Sequence, residues 1–143
     1  MISTSSKYAI KGVLFLAMHS SEAKKIMVKD ICTPINVPQA YLAKLLQELS
    51  RQKIISSTRG PKGGFYLSDE NRSQPLIKIV HAIDGQRRMN ACVLSLKTCD
   101  ENRPCPLHKL VSPAKKQFIK SLKEKTIENL ANNIANGISF LPL

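Results

Sequence analysis

The sequence predicts a mainly α-helical fold: a winged helix-turn-helix with a β-hairpin wing and a long C-terminal dimerisation helix. Three observations carry that expectation. Leu42, Leu45, Leu46 and Leu49 form an i, i+3, i+4, i+7 stripe behind Pro38. The run Gly60, Pro61, Lys62, Gly63, Gly64 separates two short β-prone stretches. A long periodic segment follows Ser112 and closes on Gly137.

Taken in order, residues 5–19 place Tyr8, Ala9, Val13, Leu16 and Ala17 at helical spacing, which predicts a first amphipathic helix. Val28 to Thr33 is a short second helix that Pro34 stops, because proline has no N–H with which to continue it. Pro38 opens the third helix, whose leucine stripe faces the core while Gln39, Tyr41, Lys44 and Glu48 face solvent. Two such helices across a tight turn make a helix-turn-helix, and its second helix fits a DNA major groove. Ile54 to Arg59 and Phe65 to Ser68 are the strands of the wing. Arg59 and Lys62 at its tip reach phosphates or a narrow minor groove, and glycines such as Gly63 let the main chain approach closely.

Leu76 to Ile83 is a further short helix between Pro75 and Gly85. Residues 86–111 lack periodicity and read as a loop. Ser112 is an N-cap before Pro113, and one helix runs from there to about Asn136, roughly 35 Å at about 1.5 Å per residue. Its apolar residues Phe118, Ile119, Leu122, Ile127, Leu130, Ala131 and Ile134 exceed what so small a chain covers easily, which predicts a two-fold homodimer through this helix or packing back onto the N-terminal helices. Lys115, Lys116, Lys120, Lys123 and Lys125 form its solvated face. The organisation expected is a DNA-binding domain over 1–85, a cysteine-containing loop over 86–111, and a dimerisation helix with a tail over 112–143.

The 143 residues carry 22 Lys and Arg against 10 Asp and Glu, a net +12, the charge of a protein that meets a polyanion. Residues 1–88 hold 14 basic and 6 acidic side chains, a net +8, so the excess is not a basic tail. The apolar run Val13 to Met18 is too short for a membrane span and lacks a cleavage site, so a cytoplasmic protein without a membrane partner is expected. Paired carboxylates, a phosphate-cradling loop and a nucleophile with an evident base are all missing from the pattern, which argues against an enzyme with a small-molecule substrate.

Cys92, Cys99, Cys105 and His108 gather three thiols and an imidazole within seventeen residues. Thiolates are soft anionic donors suited to iron-sulfur ligation, and exchanging one for imidazole raises a cluster's potential. The same set closes a tetrahedral zinc site, or serves as redox thiols. A zinc-stapled RNA-binding module is the alternative of a different class, although residues 92–108 contain no Phe, Tyr or Trp for base stacking. Cys32 stands apart and reads as a small buried residue, and His19 and His81 read as structural.

Five stretches, KYAIKGVLFLA, VPQAYLAKLLQEL, STRGPKGGFYLS, LIKIVHAIDG and the spaced cysteines ending in CPLH, make nearly the whole chain resemble one bacterial family: the winged-helix regulators that include IscR and NsrR. The resemblance implies a homodimer on double-stranded operator DNA, the third helix in the major groove and the wing in the minor groove. It also implies an iron-sulfur cluster on Cys92, Cys99 and Cys105, and in IscR-like members a histidine at the place of His108 completes a 2Fe-2S cluster. NsrR-like members complete a 4Fe-4S cluster with an acidic residue where Lys7 stands here. Six residues separate the first two cysteines, against the usual five, and Ala43 replaces a glutamate that IscR uses to discriminate between DNA sites.

Overall fold

The computed structural model describes residues 2–95 and 97–142. Among them the order is α1 (Thr4–His19), α2 (Val28–Cys32), α3 (Gln39–Arg51), β1 (Ser56–Thr58), β2 (Gly64–Tyr66), α4 (Asp69–Arg72), α5 (Ile77–Asp84), α6 (Gln86–Asn90), α7 (His108–Glu124) and α8 (Ile127–Ala135). The core lies where α1 meets α3, α5 and α8. Ala9, Val13 and Leu16 of α1, Leu42, Leu46 and Leu49 of α3, Ile79 and Val80 of α5, and Ile127 of α8 are all fully buried there. The leucine stripe of α3 thus does what its spacing requires, since positions three and four apart share a helix face.

The start of α1 is tied to the end of α5. Ser3 caps α1 by accepting from the Ser6 N–H at 3.0 Å, and its own N–H donates to Asp84 Oδ2 at 3.0 Å while its hydroxyl donates to Asp84 Oδ1. Burial pushes the Asp84 carboxyl up, but the Ser3 and Ser6 hydrogen bonds and the Arg88 charge outweigh it and hold the group below its ordinary value. A depressed carboxyl stabilises the fold at pH values above its unfolded pKa, and that contribution disappears as pH falls through the lower folded value. Asp84→Asn therefore lowers stability at pH 7 by about 1 kcal/mol. The difference from wild type closes in melts as pH falls through the depressed folded value.

The wing is a two-stranded antiparallel hairpin in which Ser56 faces Tyr66, Ser57 faces Phe65 and Thr58 faces Gly64. Its strands are shorter than the 54–59 and 65–68 expected, because Ile54, Ile55 and Leu67 leave the ladder to enter the core. Ile26 pairs with Phe65 through two backbone hydrogen bonds of 2.9 and 2.8 Å and forms a third lane at the root of the hairpin. Asn71 is buried beside it, accepting from the Ser68 N–H at 2.9 Å and the Ser56 hydroxyl at 2.7 Å, so α4 and β1 are locked together.

The C-terminal region differs from the single helix expected from Ser112. Helix α7 begins at His108, where the turn from Cys105 to His108 closes with a 3.0 Å hydrogen bond and leads directly into it, so Pro113 falls inside the helix. The helix stops at Glu124 and α8 starts at Ile127. The cause is tertiary: Leu76 N–H donates to Lys125 C=O at 2.9 Å and Ile127 N–H to Gln74 C=O at 3.0 Å, which pulls Lys125 into an extended conformation. Thr126 then caps α8 in a reciprocal box with Asn129. Leu122, Ile127 and Ala131 are buried and Phe118, Ile119, Leu130 and Ile134 half-buried, so this segment packs back onto the chain's own helices. Helices α4 and α6 lie where no helix was expected. Lys115 also departs from the solvated face, for it is half-buried with Nζ donating to the Ala91 carbonyl. Among the described residues, no helix is long and apolar enough to cross a membrane.

Candidate functional site

Two surfaces carry functional chemistry. The first is formed by α3 and the wing. The α2–α3 turn is closed by Val37 N–H donating to Cys32 C=O at 3.0 Å, with Asn36 in the left-handed region at φ 55°. Cys32 is buried beneath it, as expected of a packing residue. Gln39 and Lys44 project from the exposed face of α3, and Arg59 and Lys62 are exposed at the wing. Lys44, Arg59 and Lys62 have no ion-pair partner among the described residues, which leaves three cations for an external anion.

Tyr41 is exposed but engaged: its hydroxyl hydrogen-bonds Ser5, and its ring meets Tyr8 edge-on at 5.6 Å between centroids. It braces α3 against α1 while remaining 40% exposed. Gly63 is buried under the wing turn, its N–H donating to Gly60 C=O at 2.9 Å, so its lack of a side chain is used inside the hairpin. A Cβ there would sit 2.3 Å from the Thr58 carbonyl oxygen.

The second surface is the cysteine loop. Residues 91 and 98 pair antiparallel, Cys92 N–H donates to Lys97 C=O at 2.8 Å and Cys99 N–H to Asn90 C=O at 3.2 Å, so the first two cysteines flank a small hairpin extending from α6. Cys99 Sγ lies 2.9 Å from His108 Nδ1. Cys99, Cys105 and His108 line one cavity of about 380 Å3, together with Asn90, Val93 and Ile119. Cys92 lines the neighbouring cavity, and Val111 and Lys115 border both. The Cys92 thiol is held below its ordinary value by the Leu94 N–H, then by the Cys105 thiol, against a smaller opposing effect of burial, with the Ser95 N–H and the Lys115 charge adding to the lowering.

Of the four donors, Cys99 and His108 are in direct contact and Cys105 lines their cavity, while Cys92 lines the adjoining one. All four cysteines are free thiols, and among the described residues no three His, Cys, Asp or Glu side chains converge closely enough for one metal ion. The donor chemistry fits an iron-sulfur cluster or zinc, and a four-ligand site requires the 92–105 loop to draw the four donors together. Lys115 and Lys116 belong to this site although no spacing marked them: Lys115 holds the Ala91 carbonyl, and Lys116 pairs with Glu101 at 2.6 Å. His19 is exposed beside Phe15, and His81 is half-buried, its imidazole pushed down by burial and then by the Lys123 charge.

Residues 2–133 match the model of the Rrf2 family, described as iron-dependent transcriptional regulators. The chain belongs to the Rrf2 family. It is 28% identical over 134 residues to a helix-turn-helix-type transcriptional regulator of Aquifex aeolicus, covering 92% of both chains. It is 25% identical over 132 residues to IscR of Photorhabdus laumondii, covering 92% of this chain and 79% of that one. The fold matches that of CymR, the global cysteine regulator of B. subtilis, with a TM-score of 0.74 at 23% identity, over 92% of this chain and 96% of the other. As an Rrf2 protein, this chain is a DNA-binding transcriptional regulator and not an enzyme, and the hairpin after α3 is the wing of the family's winged helix-turn-helix.

Proposed function

We propose that this Rrf2 regulator binds operator DNA in the cytoplasm as a homodimer, and that an iron-sulfur cluster on Cys92, Cys99, Cys105 and His108 sets its affinity. The observation that carries the reading is the 2.9 Å approach of Cys99 to His108 in a cavity that Cys105 also lines, with Cys92 on the wall of the adjoining one. When bound, a cluster supplies a redox-responsive inorganic centre, and a 2Fe-2S form suits three thiolates and one imidazole.

The chain's own residues turn occupancy into DNA affinity. His108 is the first residue of α7, and α7 packs on α5, which in turn supports α3. Drawing Cys92 and Cys105 towards Cys99 and His108 therefore bears on the angle between α7 and the DNA-binding helices. Leu110 is 75% exposed on α7, and Val93 and Leu94 are exposed on the loop, which supports a second copy covering this side. Half-sites in such dimers lie about one helical turn apart, so small displacements of paired α3 helices matter. A thousandfold change in affinity needs only about 4 kcal/mol of differential binding.

Purification under strict anaerobiosis followed by absorbance, iron and acid-labile sulfide determination tests the cofactor. Coloured protein with equal iron and sulfide is expected, whereas zinc without sulfide identifies a structural metal and metal-free protein a set of redox thiols. Gln39 and Lys44 on α3 and Arg59 and Lys62 on the wing are the proposed contacts to DNA, with Tyr41 bracing α3 and Gly63 shaping the wing turn. Arg59→Ala is expected to weaken operator binding and reduce the dependence of log affinity on log salt by about 0.9, one phosphate's worth. An unchanged slope removes Arg59 from the phosphate contacts.

A further inference from the structure

Between the C-terminal half of α3 and the wing runs a polar groove of about 560 Å3, walled by Gln47, Ser50 and Arg51 on one side and Ser57, Thr58 and Arg59 on the other. The Ser50 and Ser57 hydroxyls hydrogen-bond at 2.7 Å and tie the two walls together. A duplex that takes a helix in its major groove and a wing in the adjacent minor groove carries a sugar-phosphate strand between the two elements. The groove lies at that place, and both of its charged walls are guanidinium groups.

Arg51 does not swing freely. Its Nε donates to Glu48 Oε2 at 3.0 Å and its Nη2 to Glu48 Oε1 at 2.5 Å, a two-point fork. Gln52 Nε2 donates to the same Oε1 at 2.5 Å and also reaches the Ala82 carbonyl at 3.4 Å, which anchors the carboxylate to α5. These hydrogen bonds, Arg51 first and Gln52 second, hold the Glu48 carboxyl down to about 2, so it is ionised wherever DNA is bound. An exposed pair of this kind contributes little to stability. Its effect is to fix a planar group with five donors, of which the fork uses two, leaving the rest to face an oxygen of another partner.

We propose that this groove seats the phosphates of one DNA strand, with Arg51 as a phosphate ligand and Glu48 as the residue that positions it. The inference rests on the family's DNA-binding activity and adds a site between the reading helix and the wing. It makes an unusual prediction of sign. Removing a negative charge from a surface that meets a polyanion strengthens binding by simple electrostatics, whereas removing a positioning residue weakens it.

The test uses the full-length protein and a 30-base-pair duplex enriched by the wild type from a random-sequence pool, with affinities followed by fluorescence anisotropy across a salt series. Arg51→Ala is expected to weaken binding about tenfold and lower the salt slope by about 0.9, equally on the enriched duplex and on a scrambled one, because phosphates carry no sequence. Glu48→Gln is expected to bind several-fold more weakly than wild type, and to add nothing in the Arg51→Ala background. Both side chains are exposed, so unchanged melting curves verify the fold. A wild-type salt slope in Arg51→Ala, or a Glu48→Gln variant that binds as tightly as wild type or more so, overturns the proposal. A pool from which the wild type enriches nothing overturns it together with the DNA-binding activity on which it rests.

Discussion

Cys99→Ala is expected to fold like wild type, lose all visible absorbance, and shift operator affinity by about 100-fold or more to a value that no longer responds to iron chelation. The fold is expected to survive because Cys99 is half-buried in a loop, while the core is built from α1, α3, α5 and α8. Its loss removes the side-chain contact between the loop and the first residue of α7, the Sγ to Nδ1 approach at 2.9 Å. Cys32→Ser provides the contrast. Cys32 is 7% exposed under the α2–α3 turn, so a hydroxyl there costs stability, about 1–2 kcal/mol, with colour and iron response retained. Normal colour in anaerobic Cys99→Ala, or an iron response identical to wild type, contradicts the ligand assignment.

Gly64→Val is expected to cost about 2–4 kcal/mol and to weaken DNA binding at least tenfold although α3 is untouched. Gly64 sits at φ 147°, and a Cβ on it would lie 2.7 Å from the Ile26 carbonyl oxygen and 3.0 Å from the Ile26 nitrogen. Those are backbone atoms and cannot turn aside. The strand must separate from Ile26, breaking both hydrogen bonds between Ile26 and Phe65 and displacing β2 at the root of the wing. Gly60→Ala separates backbone strain from steric exclusion: at φ 102° with nothing within 4 Å of the added carbon, it costs only about 1 kcal/mol. Equal melting temperatures for Gly64→Val and Gly60→Ala would show that the close approach to Ile26 has no energetic weight.

The elements that local periodicity governs were legible in the amino-acid sequence. The stripe Leu42, Leu45, Leu46, Leu49 behind Pro38 gives α3, and the glycine run gives the wing. The interruption at Lys125 was not, because the apolar period continues through it and the cause lies fifty residues away at Gln74 and Leu76. Two local signals were present but weak: Ser68 with Asn71 and Thr126 with Asn129 each form a capping box, with asparagine in place of the usual glutamate or glutamine. Helix α6 has no such signal.

At the site, thiol count and spacing picked out the donors, but spacing along a loop does not say which donors touch. The approach of Cys99 to His108 depends on the pairing of Ala91 with Thr98, which no periodicity marks. Lys115 reads as part of the solvated face because on a helical wheel it belongs with the other lysines of α7, whereas the chain after α6 brings the Ala91 carbonyl to it. Arg51 is different: Glu48 stands three residues before it, a spacing that brings opposite charges together on one helix face, and only the wing's position turns that pair into part of a groove.

The claim that joins these parts is that metal occupancy at the cysteine loop controls the grip on DNA. The direct measurement is operator affinity of anaerobically isolated protein, at one fixed salt concentration, before and after chelation of its iron. A change of about 100-fold or more that accompanies loss of colour and is absent in Cys99→Ala is the predicted result. The same affinity before and after, in protein shown to have lost its iron and sulfide, would contradict the account.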